Sequence, residues 1–145
     1  MKIAFGCDPN ATDFKKDLIS FAESLGHECM DYGSDDPIYA NVAARVAKDV
    51  AAGCCQRGVL LCGTGIGVSI AANKVKGAYA ANVGNIYQAQ RAQLSNNANI
   101  LAMGSQVTGI ELAKCLLKEY LSLSYDPNSR SGPKVDRIVA IERGE

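Results

Sequence analysis

The 145-residue chain has no tryptophan, a single histidine (His27) and no Cys-x-x-Cys spacing. Zinc needs three or four clustered ligands, so no structural or catalytic zinc centre is expected, and no other metal or cofactor is called for. No apolar run approaches the ~20 residues of a transmembrane helix. The first residues enter a strand pattern rather than a charged-then-apolar leader, which makes a cytoplasmic location the expectation. In that compartment the six cysteines, at 7, 29, 54, 55, 62 and 115, do not read as a disulfide framework, and most of them read as small buried hydrophobes. Neither charge sign is in surplus: fifteen Lys and Arg balance fifteen Asp and Glu. That balance argues against nucleic acid or an anionic membrane as partner. No Pro/Gly/Ser-rich linker interrupts the chain before its last twenty or so residues, so residues 1–145 read as one domain, with 122–145 as a C-terminal tail.

What is present is 48% hydrophobic residues, arranged as short apolar runs between helical patterns. Strands are expected at Lys2–Cys7, Glu28–Tyr32, Val59–Cys62, Ala78–Val83 and Ile100–Met103. Between them, Phe14, Leu18, Phe21, Ala22 and Leu25 share one face of a helix capped by Thr12 or Asp13 and closed by Gly26. Further helices are expected over Ile38–Ala52, from the glycine loop to about Lys74, over Ile86–Leu94 and over Gly109–Leu121. A last short helix is expected over Val135–Glu142. Strand–helix alternation of this kind builds βαβ units. The fold class is therefore α/β, a Rossmann-like three-layer sandwich around a five-stranded parallel sheet.

Ligands of open parallel sheets bind beyond the carboxyl ends of the strands. Strand one runs into Asp8-Pro9-Asn10, and strand three ends in Cys62-Gly63-Thr64-Gly65-Ile66-Gly67. A glycine turn entering a helix presents backbone N–H groups to an anion. The loop is no P-loop, because Val68-Ser69 stands where Gly-Lys-Ser/Thr is needed. It also lacks the third glycine of the dinucleotide fingerprint. A cysteine beside such donors is favoured as thiolate, hence as base or nucleophile. Taken singly, each residue has a plain alternative: Cys62 as a buried strand-end thiol, Thr64 satisfying a loop amide, Asp8 capping a helix, Asn96 as a turn residue. Asp8, Cys62, Thr64 and the Ser95-Asn96 turn before strand five are expected to converge on one edge of the sheet.

These residues carry a family resemblance. Lys2–Asp8 (KIAFGCD), Gly26–Gly33 (GHECMDYG), Leu61–Lys74 (LCGTGIGVSIAANK), Asn96–Leu101 and Gly109–Lys114 together resemble the ribose-5-phosphate isomerase B and galactose-6-phosphate isomerase family. The likeness spans essentially the whole chain. It implies a Rossmann-like fold, no cofactor, and a homodimer or dimer of dimers whose active sites are shared between subunits. It further implies aldose–ketose isomerisation of a phosphorylated sugar through an enediolate, with ribose 5-phosphate as the family's default substrate. Cys62 would be the base and Thr64 would move protons between the substrate oxygens. The N–H groups of Gly63, Gly65, Ile66 and Gly67, with Asn96, would hold the enediolate. Asp8 would bind sugar hydroxyls, and Arg130 and Lys134, on a tail packed on the partner subunit, would hold the phosphate.

The departures from the family pattern concern the sugar. Histidines usual after the first Asp and before the Asn are replaced by Pro9 and Ser95, which still occupy substrate-lining positions. Asp36 replaces a Tyr, Gln106 an Arg, and Lys134 the tail's second Arg. Without a ring-opening histidine, a tetrose 4-phosphate becomes an alternative to ribose 5-phosphate, because its esterified O4 cannot close a furanose ring. A hexose 6-phosphate, or a sugar-phosphate-binding module without activity, completes the alternatives.

Overall fold

The computed structural model describes all 145 residues. Five strands form one parallel sheet: β1 (Lys2–Cys7), β2 (Glu28–Asp31), β3 (Arg57–Cys62), β4 (Ala80–Asn82) and β5 (Ile100–Gly104), in the order β2-β1-β3-β5-β4. The helices are α1 (Thr12–Ser24), α2 (Tyr39–Ala51), α3 (Ile66–Ala72), α4 (Ile86–Leu94), α5 (Ile110–Ser122) and α6 (Gly132–Glu142). The three inner strands are buried along nearly their whole length, whereas β2 and β4 are short, half-exposed edges. This is how a sheet covered on both faces reads: continuous apolar runs in the middle, broken ones outside.

Alternation along each strand divides the core. Phe5, Leu61, Met103 and Val59 pack with Leu18 of α1, Ala89 of α4 and Leu116, Leu117 and Tyr120 of α5. Ala4, Leu60, Ile100 and Cys62 face Val46 and Val50 of α2 and Val68 of α3. Burying each of these large side chains contributes roughly 1.5–3 kcal/mol, enough to fix which face of every helix turns inward. The three expected layers are present.

Several boundaries differ from expectation: β3 starts at Arg57 rather than Val59, and β4 covers Ala80–Asn82 rather than Ala78–Val83. Neither Thr12 nor Asp13 caps α1; a 3₁₀ turn over Pro9–Ala11 precedes it, and the Asp8 carboxylate accepts from the Asn10 N–H at 2.8 Å to cap that turn. The final helix begins at Gly132 rather than Val135, with Pro133 in its first turn, where a missing N–H costs nothing. That helix is fastened to its own chain. Glu142 accepts from the Gly77 N–H (2.9 Å) and from the Tyr79 hydroxyl (2.7 Å), just ahead of β4. Arg57, at the start of β3, is buried and donates to the carbonyls of Tyr120 and Leu123, tying the end of α5 to the sheet. Of the cysteines, Cys7, Cys55 and Cys62 are buried, Cys29 is half-buried, and Cys54 and Cys115 are exposed. No helix is long and apolar enough to cross a membrane.

Candidate active site

Parallel register brings the carboxyl ends of three strands level: Cys7 lies opposite Leu61, and Cys62 opposite Gly104. The residues that follow are stitched across this edge. The Asp8 N–H donates to the Leu61 carbonyl (2.9 Å), Ser105 to that of Cys62 (2.8 Å) and Gln106 to that of Gly63 (3.0 Å). Asp8, Cys62, Thr64 and Gln106 are thereby held around one mouth. The Gln106 amide lies over Gly63, and the Tyr39 ring, at the start of α2, packs on Gly67. Asp8 spends one carboxylate oxygen on its turn and keeps Oδ2 free of partners within the chain.

The loop's shape depends on Gly65, which sits in the left-handed region at φ +81°. A side chain there would run into the Asn82 amide and the Met103 backbone. Asn82 also donates to the Thr64 carbonyl at 3.4 Å, so β4 braces the loop from behind. In this conformation the Gly65 N–H points at Cys62 Sγ, 3.1 Å away. An N–H aimed at sulfur stabilises negative charge on it. Cys62 is 6% exposed and so shielded from bulk water. Burial pushes the thiol of neighbouring Cys7 up to about 11, so that thiol stays protonated. Thr64 Oγ accepts from the Ile66 N–H at 3.2 Å. Two of the four N–H groups expected to face substrate are thus engaged by the loop's own side chains. Those of Gly63 and Gly67, with that of Thr64, donate to nothing within the chain and remain as the open donor set.

The expected convergence of Asn96 with Cys62 is not found. Ser95 and Asn96 lead into β5, so they lie at its amino end; neighbouring Asn99 accepts from the Gly58 N–H at the start of β3. In a parallel sheet the turn entering a strand and the loop leaving it sit on opposite edges. Within one chain, Asp8, Pro9, Cys62 and Thr64 occupy the carboxyl edge, and Ser95 and Asn96 the amino edge. Arg130 and Lys134 join Ser95 there in a cavity of about 490 Å³, which Tyr87, Arg91 and Ser131 complete. His27 enters β2, on the amino edge but three strand spacings from β5, about 14 Å away. Its ring sits against the N-terminal amine at 3.1 Å, and burial holds its pKa below the ordinary value. No histidine serves either group.

A thiol under a backbone donor thus lies at the carboxyl edge of the chain, and a cationic cavity at its amino edge. The family model described as Ribose/Galactose Isomerase matches residues 3–138. The chain belongs to the ribose/galactose isomerase family. Membership makes it an isomerase of phosphorylated sugars. It is 43% identical to D-erythrulose-4-phosphate isomerase 2 of Mycolicibacterium smegmatis, over 98% of this chain and 97% of that one. It is 42% identical to D-erythrulose-4-phosphate isomerase of Pectobacterium atrosepticum, over 100% and 97%. The solved ribose-5-phosphate isomerase B of Clostridium thermocellum superposes with a TM-score of 0.93 at 37% identity, covering 99% of both chains. The isomerase fold anticipated from the sequence is therefore present throughout. Arg91 and Ser131 are the residues of the amino-edge cavity that sequence patterns did not single out.

Proposed function

We propose that this isomerase interconverts D-erythrulose 4-phosphate and D-erythrose 4-phosphate, using Cys62 as its base. The Cys62 thiolate takes a proton from the carbon beside the substrate carbonyl, and the electrons move onto that carbonyl oxygen to give a cis-enediolate. The N–H groups of Gly63 and Gly67 face this oxyanion, where preorganised donors act most strongly. The Thr64 hydroxyl relays the proton between the two substrate oxygens. Cys62 then returns its proton to the adjacent carbon, which completes the transfer without oxidant or cofactor. Asp8 Oδ2 takes a sugar hydroxyl.

The observation that favours four carbons is the chemistry at positions 9 and 95. Pro9 offers no side-chain donor or acceptor, and the Ser95 hydroxyl oxygen is occupied by Arg91 Nε at 2.6 Å. Neither position provides a titratable group to open a sugar ring, and a tetrose 4-phosphate has no furanose to open. The names carried by the two relatives above, at 43% and 42% identity, agree with this substrate.

The same reading requires a second copy of the chain. Asn96, Arg130 and Lys134 reach a Cys62 mouth only if a partner presents its amino edge to the carboxyl edge of the first, as an isologous dimer allows. Ile66 and Ile70, one turn apart on α3 beside the glycine loop, are 55% and 57% exposed. They supply apolar surface for such a contact. The partner's tail then lies across the site.

A panel of erythrulose 4-phosphate, ribose 5-phosphate, allose 6-phosphate and galactose 6-phosphate tests the substrate. The expected result is a kcat/KM for the tetrose well above the others, with Cys62→Ala lowering kcat by about 10²–10⁴-fold. A preference for ribose 5-phosphate overturns the four-carbon reading; turnover of none of them leaves a binding module.

A further inference from the structure

The cavity at the amino edge holds three cations and no carboxylate: Arg91 from α4, and Arg130 and Lys134 from the tail. None of the three forms an ion pair within the chain. Gathering like charges in one concavity is unfavourable unless an anion joins them. Arg91 is also fixed at two points. Its Nε donates to Ser95 Oγ at 2.6 Å, and its carbonyl accepts from Asn96 Nδ2 at 2.9 Å. One end of the guanidinium is thereby committed, and both Nη groups are left without partners in the chain.

We propose that Arg91 is a third ligand of the substrate phosphate, and that Ser95 positions it. A guanidinium held at Nε presents its two Nη groups as a fork, which matches two phosphate oxygens at once. Lys134 adds a point charge, and Arg130 a second planar donor. Three cations suit a doubly charged phosphate better than a singly charged anion. On this account Ser95 faces Arg91 rather than the sugar, and the hydroxyl sets the direction of the fork. The proposal rests on the phosphate lying in this cavity, so Arg130 serves as the control for that underlying reading.

The test uses full-length enzyme, whichever sugar phosphate the wild type turns over, and inorganic phosphate as competitive inhibitor. Arg91→Gln should raise KM and the phosphate inhibition constant together by about 10- to 100-fold, with kcat within about threefold, since the lost contact is made in ground and transition states alike. Phosphate gains its second charge near pH 6, so wild-type KM should rise as pH falls through that value, and Arg91→Gln should flatten the rise. Ser95→Ala should raise KM severalfold with kcat retained, and Ser95→Thr should restore it. Arg91→Lys, which keeps the charge without the fork, should fall between wild type and Arg91→Gln. Melting curves matching wild type show that each variant folds. If Arg130→Gln raises KM and Arg91→Gln leaves KM and the phosphate constant within twofold, the role of Arg91 is overturned and the cavity stands. If neither variant moves KM while Cys62→Ala abolishes turnover, phosphate binds elsewhere and both readings fall. A fall in kcat at unchanged KM for Arg91→Gln places the residue in the chemical step and also overturns the proposal.

Discussion

Gly65→Ala probes the glycine loop on which the proposed chemistry rests. Gly65 sits at φ +81°, where an L-residue with a Cβ costs about 1–2 kcal/mol. The added methyl would also stand 2.9 Å from the Met103 backbone carbon and overlap the Asn82 amide. Overpacking against a buried strand costs about 1–3 kcal/mol more. The sum, about 2–5 kcal/mol, corresponds to a melting point lower by about 6–20 °C in a chain of this size. If the loop relieves the strain by moving about 1 Å, the Gly65 N–H leaves Cys62 Sγ and kcat falls about 10²-fold. Gly53→Ala is the matched control, with the same φ of +81° but nothing within 4 Å of its Cβ. It should cost the backbone term alone and leave kcat intact. Scanning calorimetry and steady-state kinetics on both variants provide the readouts. A Gly65→Ala enzyme that matches wild type in both would refute the claim that this loop conformation is what aims the donor at sulfur.

Two stability predictions follow from charged groups. Lys15 is 1% exposed and its ammonium is bonded to Asp31 at 2.7 Å, while the Asp31 side chain is 46% exposed. Asp31→Ala strands a buried cation and should cost about 3 kcal/mol, whereas Lys15→Met leaves a carboxylate that water solvates and should cost clearly less; urea titrations that reverse this order would refute it. Burial pushes the Asp31 carboxyl up, but the Lys15 hydrogen bond and the Gly33 N–H outweigh it and hold its pKa below the ordinary value. Glu142 is likewise held low, by the Tyr79 hydroxyl and the Gly77 N–H. A carboxyl depressed in the folded state adds stability above its unfolded pKa and loses it as pH falls through the folded one. The melting point should therefore drop below about pH 4.5, and Glu142→Gln should show a smaller drop together with looser protection of α6 in hydrogen exchange.

The alternation of apolar runs and helical spacing sufficed to place the five strands and six α-helices, most plainly the three inner strands, which are buried on both faces. The misplaced boundaries have separate causes. Arg57 reads as a loop residue, yet it starts β3 because its guanidinium satisfies the end of α5. Gly132 and Pro133 read as a turn, yet they open α6. The cradle around Cys62 was legible because glycine spacing and a strand end coincide in seven residues. Ser95 and Asn96 were expected on that edge and lie on the other, since a turn entering a parallel strand always lies opposite the loop leaving the next. Arg91 was obscured by the ordinary habit of helix cations to face water. Only the i, i+4 spacing of Arg91 and Ser95 hinted at more.

On the proposed function, each chain carries two partial sites which complete one another between copies. Cys62→Ala and Arg130→Ala proteins should be mixed, exchanged through mild denaturant and assayed on the tetrose phosphate well below the KM of the Arg130 variant, where each alone is nearly inactive. Random pairing gives half mixed dimers, each with one intact site, so about a quarter of wild-type activity should return. A mixture no more active than its components would contradict the account.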